Sequence, residues 1–154
     1  MRKIAGLSVL FSALVLAANL FAWSAEKDAE LEKLAGTYAF VSMESNGPAI
    51  PEKVLAKMKT MRMVIQGNTL SMSGEGLDKK SQTISITATR TPKEIDITRE
   101  GNDPKGKKQV VLGIYSLEGK TLKICTDNSG TKRPAEFAPK KCPSAVTLVV
   151  LERQ

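Results

Sequence analysis

Hydrophobic and polar residues alternate along most of the chain after residue 36. Alternation with a period of two places successive side chains on opposite faces of a β-strand, so each strand has one buried and one wetted face. Short turn sequences containing Gly, Asn or Pro separate the alternating segments. The pattern predicts strands at 37–45, 61–66, 69–73, 82–88, 94–99, 109–117, 120–125 and 145–152.

Two short segments have helical spacing instead. Leu31 and Leu34 lie three residues apart, which predicts a helix over 29–34. Pro51 suits the first turn of a second helix, predicted over 51–59. Serial strands without an intervening helix after residue 60 indicate an all-β fold, and eight antiparallel strands in a meander can close into a barrel without edges. The 154 residues fit one such domain.

The N-terminus has the order of a secretory signal peptide. Arg2 and Lys3 precede an uncharged run over 4–18, and small residues follow around Ala22. We therefore expect a signal peptide over 1–24, export to the periplasm or the cell exterior, and no stable membrane span after cleavage. The alternative is a retained membrane anchor, because the apolar run approaches the length of a bilayer span.

Composition excludes several classes of function. The chain has no histidine, which removes histidine-dependent dyads, histidine zinc sites and the commonest general base. It also lacks a nucleophile elbow and a phosphate loop. We predict no catalytic residue, metal site or cofactor, although a hydrolase that uses carboxylates stays open. The sequence Asp127-Asn128-Ser129 is interpreted as a turn, since calcium loops alternate their ligands.

The positive charge of the chain does not indicate a nucleic-acid partner. The formal net charge of +7 falls to +5 without the predicted signal peptide, since Arg2 and Lys3 are its only charged residues. The remaining basic residues are scattered along the chain, and the few aromatic residues are insufficient for base stacking. A solvated basic surface is therefore expected.

Six short motifs follow one another in a specific order: LEKLAGTYAFVSMESNG, IPEKVLAKMK, IDITREG, GIYSLEGKTLKIC, RPAEF and a terminal LVVLER. Together they resemble an uncharacterised family of exported, lipocalin-like domains that is abundant in planctomycete bacteria. The resemblance implies a small β-barrel of lipocalin type over 31–154 and implies no activity.

The resemblance also implies a structural role for three residues. In the wider lipocalin group, a Gly-x-Trp opens the first strand, and an arginine near the end of the last strand packs over the tryptophan. Gly36 and Tyr38 occupy the first motif here, and Arg153 occupies the second. Tyrosine departs from the pattern but keeps a flat ring for a cation–π contact. We expect this group to close one end of the barrel.

The two cysteines flank the connection before the last strand. Cys125 ends one predicted strand and Cys142 precedes the next, so neighbouring strands could bring them together. Because disulfides persist in oxidising compartments, export favours a Cys125–Cys142 bond. The alternative is a pair of thiols.

The inward-facing apolar residues form the candidate ligand site. Methionine adapts its shape readily, so Met61, Met63 and Met72 could line a cavity. The candidate ligand-binding residues are Phe40, Met61, Met63, Leu70, Met72, Ile84, Ile86 and Ile114, and the same stripe continues through Ile95, Ile97, Leu122, Ile124 and Leu148. The alternative is a core filled by its own side chains, as in many eight-stranded barrels.

The expected function is therefore binding of a small apolar or amphipathic molecule inside the barrel. The basic turn over 101–108, with Lys105, Lys107 and Lys108, is expected at the cavity mouth and would suit an anionic head, such as that of a fatty acid. The alternative is a module whose loops bind another protein or an envelope component, as an inhibitor or scaffold.

Overall fold

A computed structural model of the chain describes residues 26–47, 49–74, 77–100, 107–141 and 145–154. Within these ranges, no helix has the length and apolar character needed to cross a membrane. The elements in chain order are α1 (26–34), β1 (Gly36–Ser45), α2 (Glu52–Thr60), β2 (Arg62–Gln66), β3 (Thr69–Gly74), β4 (Leu77–Thr87), β5 (Lys93–Glu100), β6 (Lys108–Glu118), β7 (Thr121–Asp127), a 3₁₀-helix (Pro139–Lys141) and β8 (Val146–Arg153).

The eight strands pair in sequence order, and β8 returns to pair with β1, so the sheet is a closed antiparallel barrel. The predicted fold class is confirmed, with strands and helices close to their predicted positions. The exception is β4, which begins at Leu77 rather than at residue 82. Lys80 and Ser81 in this extension are polar and exposed, so these two positions add no apolar residue to the alternating pattern.

The inward faces of the strands form the main core. Its buried residues come from every strand and from α1: Leu31, Leu34, Tyr38, Phe40, Met63, Ile65, Leu70, Ile84, Ile86, Ile95, Tyr115, Leu122, Ile124 and Leu151. Such a barrel core removes apolar surface from water, which stabilises the fold by about 25 cal/mol for each Å² buried.

A second, smaller core lies on the outer face of β6, β7 and β8. Ile114 pairs with Cys125, which pairs with Leu148, and these side chains pack with Val146 and Phe137. The expectation that Ile114 and Leu148 face the barrel interior was wrong. Because β6 is apolar on both faces, its sequence does not mark the inward side, and Tyr115 takes the interior position instead.

The segment over 128–141 is fastened to the outer face of the barrel by Arg133. Its Nη1 donates to Gly113 O at 2.6 Å, and its Nη2 donates to Asp96 Oδ1 at 2.6 Å. Its Nε lies 3.7 Å from Glu94 Oε2. Glu94 and Asp96 of β5 therefore pair with an arginine of a distant loop.

Asp127 fixes the beginning of the same segment. Its fully buried carboxylate accepts hydrogen bonds from Ser129 N at 2.8 Å and Lys132 N at 3.0 Å. Burial opposes ionisation, but the hydrogen bonds from Ser129, Lys132 and Thr131 outweigh it and lower the pKa of Asp127. The residues that follow Asp127 form a turn, as the sequence predicts.

The predicted disulfide falls partly outside the described residues, because Cys142 is not among them. Cys125 is fully buried in the outer core, and its Sγ lies 3.7 Å from Glu136 O. The Cys125–Cys142 bond stays a prediction.

Helix α1 covers the barrel end at which β1 begins, which we call the closed end. Tyr38 is fully buried there and donates from its hydroxyl to Leu34 O at 2.8 Å. Arg153 lies over the Tyr38 ring, 5.3 Å from its centroid, and donates from Nη2 to the hydroxyl at 2.7 Å. A Cβ atom at Gly36 would lie 3.1 Å from Arg153 Nε. These three residues thus meet as the resemblance implies.

Candidate functional site

The opposite end of the barrel, where β1 ends, contains a partly open cavity of about 130 Å³, and we call it the open end. The cavity lies between the inward faces of β2 to β8 and above the filled core. Its apolar lining consists of Met63, Leu70, Met72, Ile97, Val111, Ile124 and Val149. The cavity therefore lies near the open end, whereas the fully buried Tyr38 and Leu122 pack towards the closed end.

Four polar side chains also line the cavity: Gln82, Arg99, Thr126 and Asn128. Arg99 Nε donates to Gln109 Oε1 at 3.1 Å, and Gln109 Nε2 donates to Asn128 O at 3.3 Å. Asn128 Nδ2 in turn donates to Thr147 Oγ1 at 2.9 Å. This chain of hydrogen bonds links β5, β6 and β8 and fixes the orientation of the Arg99 side chain.

Arg99 gives the cavity a positive charge. Its side chain is half-buried, and it forms no ion pair with any carboxylate of the described residues. Lys107 and Lys108, which are exposed where β6 begins, lie at the same end of the barrel. A guanidinium in a partly desolvated position binds carboxylates and phosphates well, because its planar donors match their oxygens.

The five methionines after Met1 line or adjoin the cavity and the neighbouring groove. Met63 and Met72 are register partners across β2 and β3, and both line the cavity. Met61 packs beside them, with its Cγ 2.9 Å from the position of a Cβ at Gly74. The remaining two, Met43 and Met58, line the neighbouring groove. Unbranched thioether side chains repack at low cost, which suits a wall that must adapt to a guest.

A larger groove of about 480 Å³ lies between α2 and β1. Its lining residues are Phe40, Val41, Ser42 and Met43 from β1 and Glu52, Leu55, Ala56, Met58 and Lys59 from α2. Met43 pairs in register with Val149, which lines the interior cavity, and the two spaces share no lining residue.

A cluster of charged and phenolic groups lies at the closed end. Glu30 of α1 is buried, and its carboxylate accepts hydrogen bonds from Lys93 Nζ at 2.5 Å, Lys33 Nζ at 3.2 Å and the Tyr115 hydroxyl at 3.3 Å. Burial opposes ionisation, but Lys93 and Lys33 outweigh it and lower the pKa of Glu30. Burial and the Glu30 charge together raise the pKa of Tyr115 above its ordinary value. The buried Glu30 carboxylate thus has three hydrogen-bond donors, and those from Lys93 and Tyr115 join α1 to the barrel.

The structure brings together only part of the predicted ligand-binding set. Met63, Leu70 and Met72 line the cavity, and Met61 packs against the core beside them. Phe40 lines the α2–β1 groove instead. Ile84 and Ile86 are buried in the filled core, and Ile114 belongs to the outer core.

Sequence reasoning missed the polar residues of the site, although the sequence carries a signal for two of them. Ile95 and Ile97 alternate inward along β5, and the same period continues to Arg99. In β4, the same alternation places Gln82 on the inward face with Ile84 and Ile86. Extending each apolar alternation by one further step would have placed both polar side chains at the mouth of the barrel.

The described residues contain no cluster of three or more acidic, cysteine or histidine side chains that could hold a metal ion. Comparison of the chain with protein-family profiles, with curated proteins and with solved structures found no match. The geometry of the open end is therefore the feature of this protein that points to a function.

Proposed function

We propose that this protein binds a small amphipathic anion in the open end of its barrel. The observation that carries the proposal is an apolar cavity bordered by Arg99, which has no carboxylate partner among the described residues. An apolar group of the ligand would contact Met63, Leu70 and Met72, and its anionic head would accept hydrogen bonds from Arg99. Mostly apolar walls with a few convergent polar groups are typical of small-molecule sites.

The size of the cavity limits the guest. An apolar cavity of about 150 Å³ is known to accept a molecule the size of benzene, and this cavity measures about 130 Å³. A short chain or a single ring is therefore favoured over the long acyl chain of a typical fatty acid. Burying even such a group contributes about 0.8 kcal/mol for each methylene.

Calorimetric titration with hexanoate and benzoate tests the proposal. We expect saturable binding that Met63→Trp abolishes, because the larger side chain fills the cavity. Arg99→Gln should weaken binding about tenfold or more, since a charged hydrogen bond contributes about 1.5–3 kcal/mol. Arg90→Gln is the matched control, because Arg90 is exposed in the turn at the closed end.

Absence of saturable binding in folded protein free of co-purified ligand would count against the container function. The alternative expected from the sequence, a module that binds another protein, would then be favoured. Equal losses in the Arg99 and Arg90 variants would show that the cavity arginine does not recognise the head group.

We also propose that the protein acts after export. The charged start, apolar run and small residues of the N-terminal sequence support this proposal. Intact mass of the protein recovered from the periplasm or the medium tests it: the chain should begin near Ala25 and lack Trp23. Recovery of a chain that still contains Trp23 would contradict cleavage at this site.

A further inference from the structure

A polar pocket of about 360 Å³ lies on the outer face of the barrel, over β2, β3 and β4. Ser71 of β3 pairs in register with Val64 on one side and with Ser81 on the other, and Thr69 pairs with Gln66. Residues that pair across antiparallel strands lie on the same face of the sheet, so their side chains converge. The complete lining is Val64, Gln66, Thr69, Ser71, Ser73 and Ser81.

Ser71 is the most deeply buried residue of this lining. Its neighbours Leu70 and Met72 line the interior cavity, so the Ser71 side chain points outward into the pocket. Ser71 is only 7% exposed, and its hydroxyl has no hydrogen-bond partner among the described residues. Every fully buried polar side-chain atom in the described ranges does have a partner, so the Ser71 oxygen stays reachable from the pocket. Because buried hydroxyls are normally hydrogen-bonded, this one is suited to a partner on a ligand.

The lining selects against charged ligands. None of its six residues is charged or aromatic, and Val64 is the one apolar residue among them. Arg62 adjoins the pocket as the register partner of Ser73, but its Nη1 donates to two backbone carbonyls at the end of α2, at 2.9 and 3.1 Å. Lys80 pairs in register with Met72 and therefore belongs to the inner face.

We propose that this pocket binds a single neutral sugar unit. Sugar hydroxyls both donate and accept hydrogen bonds, as do the hydroxyls of serine and threonine, and the Gln66 amide offers both functions as well. Val64 provides an apolar contact for the C–H groups of a sugar ring. The volume of about 360 Å³ lies near the lower end of the range of about 300–1,000 Å³ for small-molecule sites, which favours one ring over several.

The position of the pocket in the sheet excludes a peptide strand as its ligand. The backbone of β3 is paired with β2 on one side and with β4 on the other, so recognition depends on side chains. The pocket also lies on the opposite face of the sheet from the cavity that contains Arg99. Sugar binding therefore goes beyond the proposed binding of an anion and does not depend on it.

NMR titration of isotope-labelled protein with the methyl pyranosides of glucose, galactose, mannose and N-acetylglucosamine tests this inference. We expect at least one of them to shift the amide signals of Thr69, Ser71 and Ser81 saturably. The dissociation constant should be in the millimolar range, because neutral hydrogen bonds exchanged with water contribute little each. Affinity should be equal at about 50 mM and about 500 mM salt, since the sugar and the lining are both uncharged. Saturating hexanoate should leave the affinity for the sugar unchanged.

Three variants locate the site. Ser81→Trp covers the pocket and should abolish binding, whereas Ser85→Trp, at an exposed position of the same strand outside the lining, should bind as the wild type does. Ser71→Ala removes one hydroxyl and should weaken binding about fivefold or more. Its urea-unfolding midpoint should stay unchanged, because this hydroxyl has no partner among the described residues.

The unfolding measurement on Ser71→Ala separates recognition of a sugar from a structural role, and this small change keeps the test decisive if Ser81→Trp does not fold. Absence of saturable shifts with all four sugars would overturn the inference. Equal losses in the two tryptophan variants, wild-type affinity in Ser71→Ala, or affinity that falls with salt would overturn it as well.

Discussion

Glu30 shows how a single buried charge can fix a helix to a barrel. Its side chain is only 8% exposed, and two ammonium groups and a phenol surround its carboxylate. A buried carboxylate is costly unless it is paired and hydrogen-bonded, and here both conditions hold. Lys93 and Tyr115 belong to adjacent strands and are register partners. The carboxylate of α1 therefore joins the helix to the β5–β6 pair.

Replacing Glu30 by Gln should destabilise the fold by about 1–3 kcal/mol at neutral pH, because charged hydrogen bonds are lost in a buried site. The lowered pKa of Glu30 makes this loss pH-dependent. A carboxylate with a lowered folded-state pKa contributes stability above its ordinary value of about 4.3, and that contribution disappears as pH falls through the folded-state value. The difference between wild type and Glu30→Gln should therefore shrink at acidic pH.

Urea denaturation at about pH 7 and about pH 3 measures this difference. Glu32→Gln is the matched control, because Glu32 is exposed on the same helix. A difference in the free energy of unfolding that is the same at both pH values would show that the Glu30 charge does not stabilise the folded state.

Single residues also show where sequence reasoning stops. The inward position of Arg99 follows from continuing the alternation of Ile95 and Ile97, so it was predictable. Tyr115 and Ile114 were not distinguishable, because both are apolar neighbours in a strand with two buried faces. Only the long-range pairing of β6 with β5 and β7 decides which of the two faces inward.

At the level of elements, the strands were predictable wherever one face of the strand is buried and the other face is exposed to water. The period-two pattern is then a direct consequence of burial. The α2–β1 groove was not predictable, because it depends on the bulge in β1 and on the point at which β2 stops pairing. Both are properties of pairing between distant segments and leave no local mark in the sequence.

Arg133 joins the segment over 128–141 to the barrel, in addition to Asp127 and the outer core. Arg133→Lys should destabilise the protein by about 1–2 kcal/mol, because one ammonium cannot reproduce the separate bonds to Gly113 O and Asp96. We expect faster amide exchange within this segment, measured by NMR, while the barrel strands stay protected. Lys132→Arg, at an exposed neighbouring position, is the control. Unchanged exchange in Arg133→Lys would mean that the outer core and the Asp127 hydrogen bonds hold the segment without the arginine.

The same segment leads to the second cysteine. If Cys125 and Cys142 are joined, the oxidised protein should weigh two mass units less than its reduced form, since one bond removes two hydrogens. Closing a loop of this length contributes about 3 kcal/mol in the chain-entropy model. Intact mass spectrometry of exported protein, with and without reductant, measures the shift. Identical masses under both conditions would contradict the bond and mean that both cysteines are thiols.

For the molecule as a whole, the two ends of the barrel differ in structure: one is closed and filled, and the other contains the cavity. α1, Tyr38 and Arg153 close one end with internal hydrogen bonds, and the filled core lies between this end and the cavity. The opposite end combines the methionine-rich walls, the Arg99 side chain and the groove beside α2. An interior that is filled at one end and open at the other accommodates a short guest and rejects a long one, because close-packed cores resist added volume.

This division predicts how affinity depends on ligand length. In a series of straight-chain carboxylates, affinity should rise by about 0.8 kcal/mol for each added methylene up to a chain of about six carbons, the size that a cavity of this volume accepts. Longer chains should gain no further affinity, since their additional carbons would remain in water or displace core side chains. Ile84→Ala removes volume from the filled core beneath the cavity and should move the optimum to longer chains, at a cost of about 2–5 kcal/mol in stability. Isothermal titration of the series against both proteins measures the shift. Affinity that continues to rise well beyond six carbons in the wild type would mean that the chain lies outside the barrel interior.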